Sequence, residues 1–401
     1  MKKNTLAVIL PVMFGFLAMG FIDMIGLVTS NVRADFDMSD GLVTNNVRAD
    51  FNMSDGMVNT ISLSCYLWFL LLSIPVGMAL TKWGRKKMVL VSLALHVAAL
   101  LLPFLAYSFV SVLVAFSLIG IGNTILQVAM NPLVTDVVTG DRVTSTITFG
   151  QATKAFGSII APFIAMWTAV SLGRWQLLFP IYACLSLAGL VWLWLTPIEE
   201  QPREQKNVRF ADTLVLLKDP TILAFFFGIV VLVAADVAVN MTLPRLMTDQ
   251  FGLTPEKANT CHSVYFLART VAAFAGGALL LKVDDKKFFL AGSWLAMAGL
   301  VLLALLGKVG VVPVLLAVCL FGIGYANLFG IVFSFALRRM PDKANEVSAL
   351  LIVGLVGGAI LPPVLGWIRD ITGSQIAAVA AIAVVWVYML WLARKIRNFA
   401  A

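Results

Sequence analysis

Charge is what this sequence has least of. Of its 401 residues only 12% are charged and 60% are hydrophobic, whereas a soluble globular chain carries roughly a quarter charged residues. The shortage excludes a soluble multi-domain enzyme, a disordered chain and a nucleic-acid binder, all of which need far more polar surface. Cysteine is scarce as well. Cys65, Cys184, Cys261 and Cys319 sit in apolar runs with no paired or metal-ligand spacing, so they read as core filler. No nucleophile–base pair or ligand cluster occurs, so no enzyme activity, cofactor or metal is expected. Lys2 and Lys3 precede a long apolar stretch with no small-residue cleavage site behind it, so no cleavable signal is expected. What the chain does have is a succession of apolar runs of about 20 residues, the length that crosses a bilayer as a helix. It reads as a multi-pass integral membrane protein, and its net charge of +8 as the surplus of basic cytoplasmic loops.

Breaks at charge clusters, Pro/Gly positions and polar runs predict an all-α protein of twelve transmembrane helices. They fall near 5–30, 57–81, 88–108, 109–139, 143–172, 174–196, 219–249, 255–282, 286–307, 311–337, 344–370 and 375–397. A polar stretch at 197–218 divides the chain into six-helix bundles at 1–196 and 219–401. With both termini placed in the cytoplasm, twenty of the 29 Lys and Arg residues fall inside and seven outside. Lys154 and Arg269 remain within helices. The bias fixes the orientation, which is that of a multi-pass inner-membrane protein.

The two halves repeat each other. Gly77, Leu80, Lys82, Lys86 and Lys87 recur as Gly277, Leu280, Lys282, Lys286 and Lys287, 200 positions on. Gly120 and Gly122 in helix four answer Gly322 and Gly324 in helix ten, and Gly157 in helix five answers Gly358 in helix eleven. Three matches in order at nearly one offset indicate duplication, and two parallel six-helix repeats form a known transporter plan. Over its whole length the sequence resembles the major facilitator superfamily. Gly77…Gly84-Arg85-Lys86 is similar to that superfamily's loop between helices two and three, with Thr81 where an acid is usual. Asp23, Asn131-Pro132, the Gln151…Gly157 stretch and Tyr265…Arg269 resemble the fucose/glucose/galactose proton-symporter family. The resemblance implies uptake of neutral hexoses or deoxyhexoses with a proton. It assigns Asp23 as a proton-linked or sugar-binding carboxylate and Arg269 as a brace of the C-terminal bundle. Gln127 stands where the fucose branch has Glu, and Lys154 where Asn is common.

Charges inside membrane helices are costly and become functional candidates by default. Asp23 is surrounded in sequence by Met24, Ile25, Leu27 and Val28, and apolar surroundings favour the neutral form of an acid, as a proton carrier requires. Lys154, three turns into helix five, reads as the partner of Asp23 or Asp236, or as an anchor for a substrate carboxylate. Asp236, with Asn240 one turn on, is the candidate of the second half, either a sugar ligand, a second titrating group or a structural acid. Proton coupling is therefore looked for at Asp23, Lys154 and Asp236. Asn123, Gln127 and Asn131 recur every four residues and form one polar stripe on helix four. Planar amides of this kind suit sugar hydroxyls, although helix–helix hydrogen bonds would use the same groups. Gln151, Asn240 and Asn327 complete the substrate-binding candidates. His96 reads as a packed polar residue, Tyr325 as a wall from the C-terminal half, and Trp68 and Phe69 as stacking surfaces.

One feature stands apart: residues 26–40 and 41–55 match at 13 of 15 positions. Two units are too few for a repeat array, so this reads either as an insertion tolerated in an outer loop or as a feature not native to the protein, and no function is assigned to it. The favoured reading is a monomeric, proton-coupled sugar transporter whose partners are a small sugar, a proton and the lipid bilayer. The alternatives are symport of an acidic sugar such as a hexuronate or sialic acid, which Lys154 favours, or proton-driven drug efflux. A non-transporting receptor would have no use for Asp23 and Lys154.

Overall fold

Helices account for the architecture of the described residues. The computed structural model describes residues 3–21, 28, 55–140, 142–200, 210–253 and 255–396, and among these no strand occurs. In chain order the principal helices are α1 (Lys3–Met19), α2 (Asp55–Trp83), α3 (Arg85–Leu105), α4 (Phe109–Val137), α5 (Arg142–Leu172) and α6 (Leu178–Leu195). They continue with α7 (Pro220–Phe251), α8 (Pro255–Leu279), α9 (Asp285–Leu306), α10 (Val311–Tyr325, resuming as Leu328–Arg339), α11 (Ala344–Val353, resuming as Gly357–Thr372) and α12 (Gln375–Ile396). Among the described residues nine helical segments are long and apolar enough to span a membrane, and α1, α2 and α8 contribute shorter apolar stretches. Asp23 lies outside the described residues, as does the 26–55 duplication apart from Val28 and Asp55.

Two compact units emerge: Met1–Leu133 with Thr153–Gln201, and Val134–Ala152 with Pro202–Ala401. The end of α4 and the first turns of α5 thus belong with the second unit.

In the first unit, glycines bring α1 and α5 together. A Cβ on Gly20 would stand 2.4 Å from the Lys154 carbonyl oxygen, and one on Gly157 would stand 2.6 Å from that of Leu17. Small residues that admit backbone-to-backbone contact are how membrane helices associate without a hydrophobic drive between them. The Ser158 hydroxyl donates to the Gly20 carbonyl at 3.1 Å, and Tyr182 closes the contact by donating to the Gly157 carbonyl at 2.7 Å. Because the obstacle is backbone, it cannot swing aside. Gly157→Ala is therefore expected to cost about 1–3 kcal/mol, read as a lower unfolding temperature of the detergent-solubilised protein. An unchanged temperature would show that α1 and α5 separate without penalty.

The start of α3 and the end of α6 cap each other. Gly84 takes φ +88, a left-handed conformation that favours glycine. The Glu200 carboxylate then accepts from the Arg85 amide at 2.7 Å and the Lys86 amide at 2.8 Å. An anion on the first free N–H groups of a helix satisfies orphan donors and complements the helix dipole. In return, Lys86 Nζ donates to the last carbonyls of α6, Trp194 at 3.2 Å and Thr196 at 2.7 Å. Arg85 is 1% exposed, and its Nη1 donates to the Pro132 carbonyl on α4 at 2.6 Å. The acid absent at Thr81 is thus matched by one arriving 119 positions later in the chain.

The second unit repeats these devices with other residues. Asp219 caps α7, accepting from Thr221 at 2.7 Å and Ile222 at 3.1 Å, and pairs with Arg339 at 3.3 Å. Partial burial alone would raise its pKa, but the Ile222 and Thr221 amides and Arg339 outweigh that and hold the carboxyl below its usual value. Gly252 closes the far end of α7 in a left-handed cap. Helices α9 and α10 meet at Gly299 and Gly324, where a Cβ would lie 2.4 Å from the backbone nitrogens of Phe321 and Ala296 respectively. The first turns of α5 dock here: Thr144 Oγ1 lies 3.0 Å from Asp285 Oδ2 and 2.7 Å from Ser334 Oγ, and Ser145 donates to the Gly277 carbonyl at 2.6 Å.

Two helices depart from the predicted spans. The expected continuous helix at 311–337 breaks at Ala326-Asn327, and the expected helix at 344–370 tightens to a 3-10 turn at Gly354–Val356. The first break has a visible cause. Asn327 turns its side-chain amide across to the Ala272 carbonyl on α8 at 3.1 Å, and Gly276 leaves the room, since a Cβ there would stand 2.1 Å from Asn327 Nδ2.

Candidate functional site

In the first unit the polar stripe of α4 is interior. Asn123 is 0% exposed, Gln127 3% and Asn131 1%. Asn123 Nδ2 donates to the Met19 carbonyl at 3.3 Å, which ties the stripe to the end of α1. Asn123 Oδ1 and Gln127 Oε1, one turn apart, are buried acceptors with no hydrogen-bond partner among the described residues. A buried amide oxygen left without a donor costs about 1–3 kcal/mol. These are two polar atoms on one face of α4 that the described residues leave unsatisfied.

Lys154 and Ser158 follow one another along α5 at the α1 contact, and Lys154 is half-buried. Gln151, half-buried three residues earlier, belongs with the second unit. His96 is fully buried, with Nδ1 2.9 Å from the Ser92 carbonyl, and packs against Gly122 of α4. Trp68 donates to Ser117 Oγ at 2.9 Å, and Phe69 is 3% exposed. Phe69 is thus buried among its neighbours rather than offered as a stacking surface.

The second unit gathers its candidates around one acid. Asp236 on α7 receives Tyr265 Oη at 2.6 Å and Arg269 Nη1 at 2.9 and 2.8 Å. Both donors sit one turn apart on α8, the spacing that brings side chains to one face. The Arg269 guanidinium carbon lies 4.7 Å from the Tyr325 ring centre, a cation–π distance. Beneath it Tyr265 stacks on Phe321 at 6.2 Å, and Trp386 meets Phe321 edge-on at 5.5 Å. Asn240 is half-buried one turn along α7. Asn327 is 2% exposed, and its Oδ1 has no partner among the described residues.

Sequence reading singled out Asp236, Tyr265, Arg269 and Tyr325 separately but not as one cluster. The signal available was the i, i+4 spacing of Tyr265 and Arg269. Glu200 was read only as part of a polar linker, and nothing near it in sequence points to Arg85.

The family description Major Facilitator Superfamily matches residues 13–362 and, a second time, 225–398. The glucose/galactose transporter of Brucella abortus biovar 1 (strain 9-941) is 26% identical over 329 residues, covering 77% of this chain and 78% of its own. Among solved structures, FucP in the outward conformation superposes with a TM-score of 0.79 at 19% identity, covering 97% of this chain and 99% of its own. The proton:xylose symporter XylE, bound to 6-bromo-6-deoxy-D-glucose, does so at 0.74 and 12% identity, covering 100% and 96%. These structures share the all-helical fold described above. The chain belongs to the Major Facilitator Superfamily and is a membrane transport protein rather than an enzyme.

Proposed function

We propose that the protein imports a neutral hexose or deoxyhexose together with a proton across the bacterial inner membrane, by alternating access, with both termini in the cytoplasm. The observation that carries this reading is the pair of buried amide oxygens on Asn123 and Gln127 that have no hydrogen-bond partner among the described residues. Sugar hydroxyls are donors that such acceptors can take up, and they ask for no charge from the protein. The names of similar proteins, a glucose/galactose transporter and a proton:xylose symporter, point the same way. Asp23 is the group to which proton coupling is assigned, and the excess of Lys and Arg in the loops assigned to the cytoplasm supports the orientation.

The test is uptake by purified protein in proteoliposomes with an acidic exterior. D-Glucose, D-galactose and L-fucose are compared with glucuronate and N-acetylneuraminate. Accumulation of a neutral sugar that collapses with a protonophore supports the reading. Accumulation of the acids alone overturns it.

Lys154 favours a second reading, symport of an acidic sugar, because a half-buried lysine in α5 is a natural anchor for a carboxylate. The two part company at Lys154→Gln. For a neutral substrate, with Lys154 the partner of an acid, the expected result is a pH optimum of transport moved upward whichever sugar is carried. A tenfold rise in KM confined to the acidic sugars, with an unmoved pH profile, would promote the acidic-sugar reading.

A further inference from the structure

The charge of Asp236 is already engaged. One nitrogen of Arg269 contacts both carboxylate oxygens, and the fully buried Tyr265 donates to one of them. Of the cluster, the side chain of Arg269 is the most accessible at 24%, against 13% for Asp236 and 3% for the whole of Tyr325. A proton placed on Asp236 would strip Arg269 of its counter-charge and compete with the Tyr265 hydrogen bond.

The internal duplication says what the other half has in the same places. In the first repeat Gly157 of α5 sits against the Leu17 carbonyl of α1; in the second the matching backbone contact, to the Val230 carbonyl of α7, is made by Gly357 of α11, one position before the Gly358 that the sequence offset pairs with Gly157. These equivalent contacts put α1 and α7 in register 213 positions apart, while α2 and α8 are in register at 200 through Gly77 and Gly277. The register carries Asp236 back to Asp23, which lies outside the described residues. It carries Arg269 back to Phe69 and Tyr265 back to Cys65. The duplicated frame therefore repeats the acid in sequence but supplies neither the guanidinium nor the phenol at the matching positions.

Building on the sugar–proton symport reading, we infer that the two in-register acids have divided their roles. Asp236 is a positioning residue that holds Arg269 over Tyr325, and the N–H donors of Arg269 are what the second unit offers the oxygen atoms of a sugar. Proton carriage is left to the first repeat. A guanidinium presents donors only, and a sugar's ring and hydroxyl oxygens can accept from them.

The experiment compares wild type, Asp236→Asn, Arg269→Gln, Arg269→Lys and the double variant Asp236→Asn/Arg269→Gln in proteoliposomes, with D-galactose and L-fucose as probes. Counterflow gives KM and Vmax without net proton movement, and accumulation under an imposed pH gradient reads coupling. The expected results are a rise in counterflow KM of tenfold or more in Asp236→Asn, with pH-driven accumulation retained at saturating sugar. Arg269→Gln should show the same rise, Arg269→Lys should recover part of it, and the double variant should be no worse than Arg269→Gln alone. An Asp236→Asn protein with wild-type counterflow KM and no pH-driven accumulation would overturn the inference, since that is the signature of a proton carrier. If Asp236→Asn fails to fold, the double variant, which carries neither charge, takes over, and a wild-type KM in it would overturn the inference equally. Wild-type protein that moves neither probe would overturn the sugar reading itself, a pattern distinct from either of these.

Discussion

Asp23→Asn is expected to abolish accumulation driven by a pH gradient while leaving sugar counterflow in place. Asparagine matches aspartate in shape and keeps hydrogen-bonding capacity, but it cannot release a proton. A symporter so altered equilibrates its sugar and no longer concentrates it, so the accumulation ratio should fall to unity. The assignment rests on an acid set among apolar residues in the first predicted span of the sequence, 5–30, the kind of placement that marks proton pathways in membrane proteins. It also rests on the engagement of its in-register counterpart, Asp236, by Arg269. Accumulation ratios and counterflow rates in one proteoliposome preparation decide the matter. Undiminished pH-driven accumulation by the variant would sink the assignment.

Gln127→Met is expected to move stability and transport in opposite directions. Methionine nearly matches glutamine in length and volume and asks for no hydrogen bond. Removing a buried acceptor that has no donor among the described residues relieves a desolvation cost of about 1–3 kcal/mol, so the unfolding temperature of the sugar-free protein should rise. The same change removes a substrate contact, worth about 1.4–2.8 kcal/mol for a 10- to 100-fold rise in KM. Asn123→Leu should weaken transport too but gain less stability, because Asn123 also donates to the Met19 carbonyl. A drop in stability with unchanged KM would show that Gln127 serves helix packing instead. Sites that are costly in the empty protein are a common expression of the trade between stability and activity.

The apolar helices and their duplication were legible in the sequence because both are statements about composition and spacing within a single helix. The α4 stripe was legible for the same reason: Asn123, Gln127 and Asn131 share a face by helical period alone, and all three are buried. What was not legible depends on partners distant in the chain. The break in α10 follows from the bond between Asn327 and Ala272, 55 positions away, and nothing in the run from Val311 to Leu337 announces it. Glu200 reaches Arg85 across 115 positions. The departure at Thr81 was visible, but the residue that meets the need could not be named. Asp236 has structural and functional readings of equal weight in the sequence, and its bonds to Arg269 and Tyr265, 33 and 29 positions away, were not legible there.

The bonds from Glu200 to the first amides of α3 also set a length. Counted from the end of α6 at Leu195, fifteen steps of chain lead to the short helix Phe210–Val215 that opens the second half. Fixing Glu200 leaves ten, and a fully extended chain covers at most about 3.5 Å per residue. The tether between these anchor points is therefore about 35 Å instead of about 52 Å at full stretch. Any step of the transport cycle that parts them further must first pull the Glu200 carboxylate off Arg85 and Lys86. The same two hydrogen bonds that start a helix thus act as a stop on the travel of the linker.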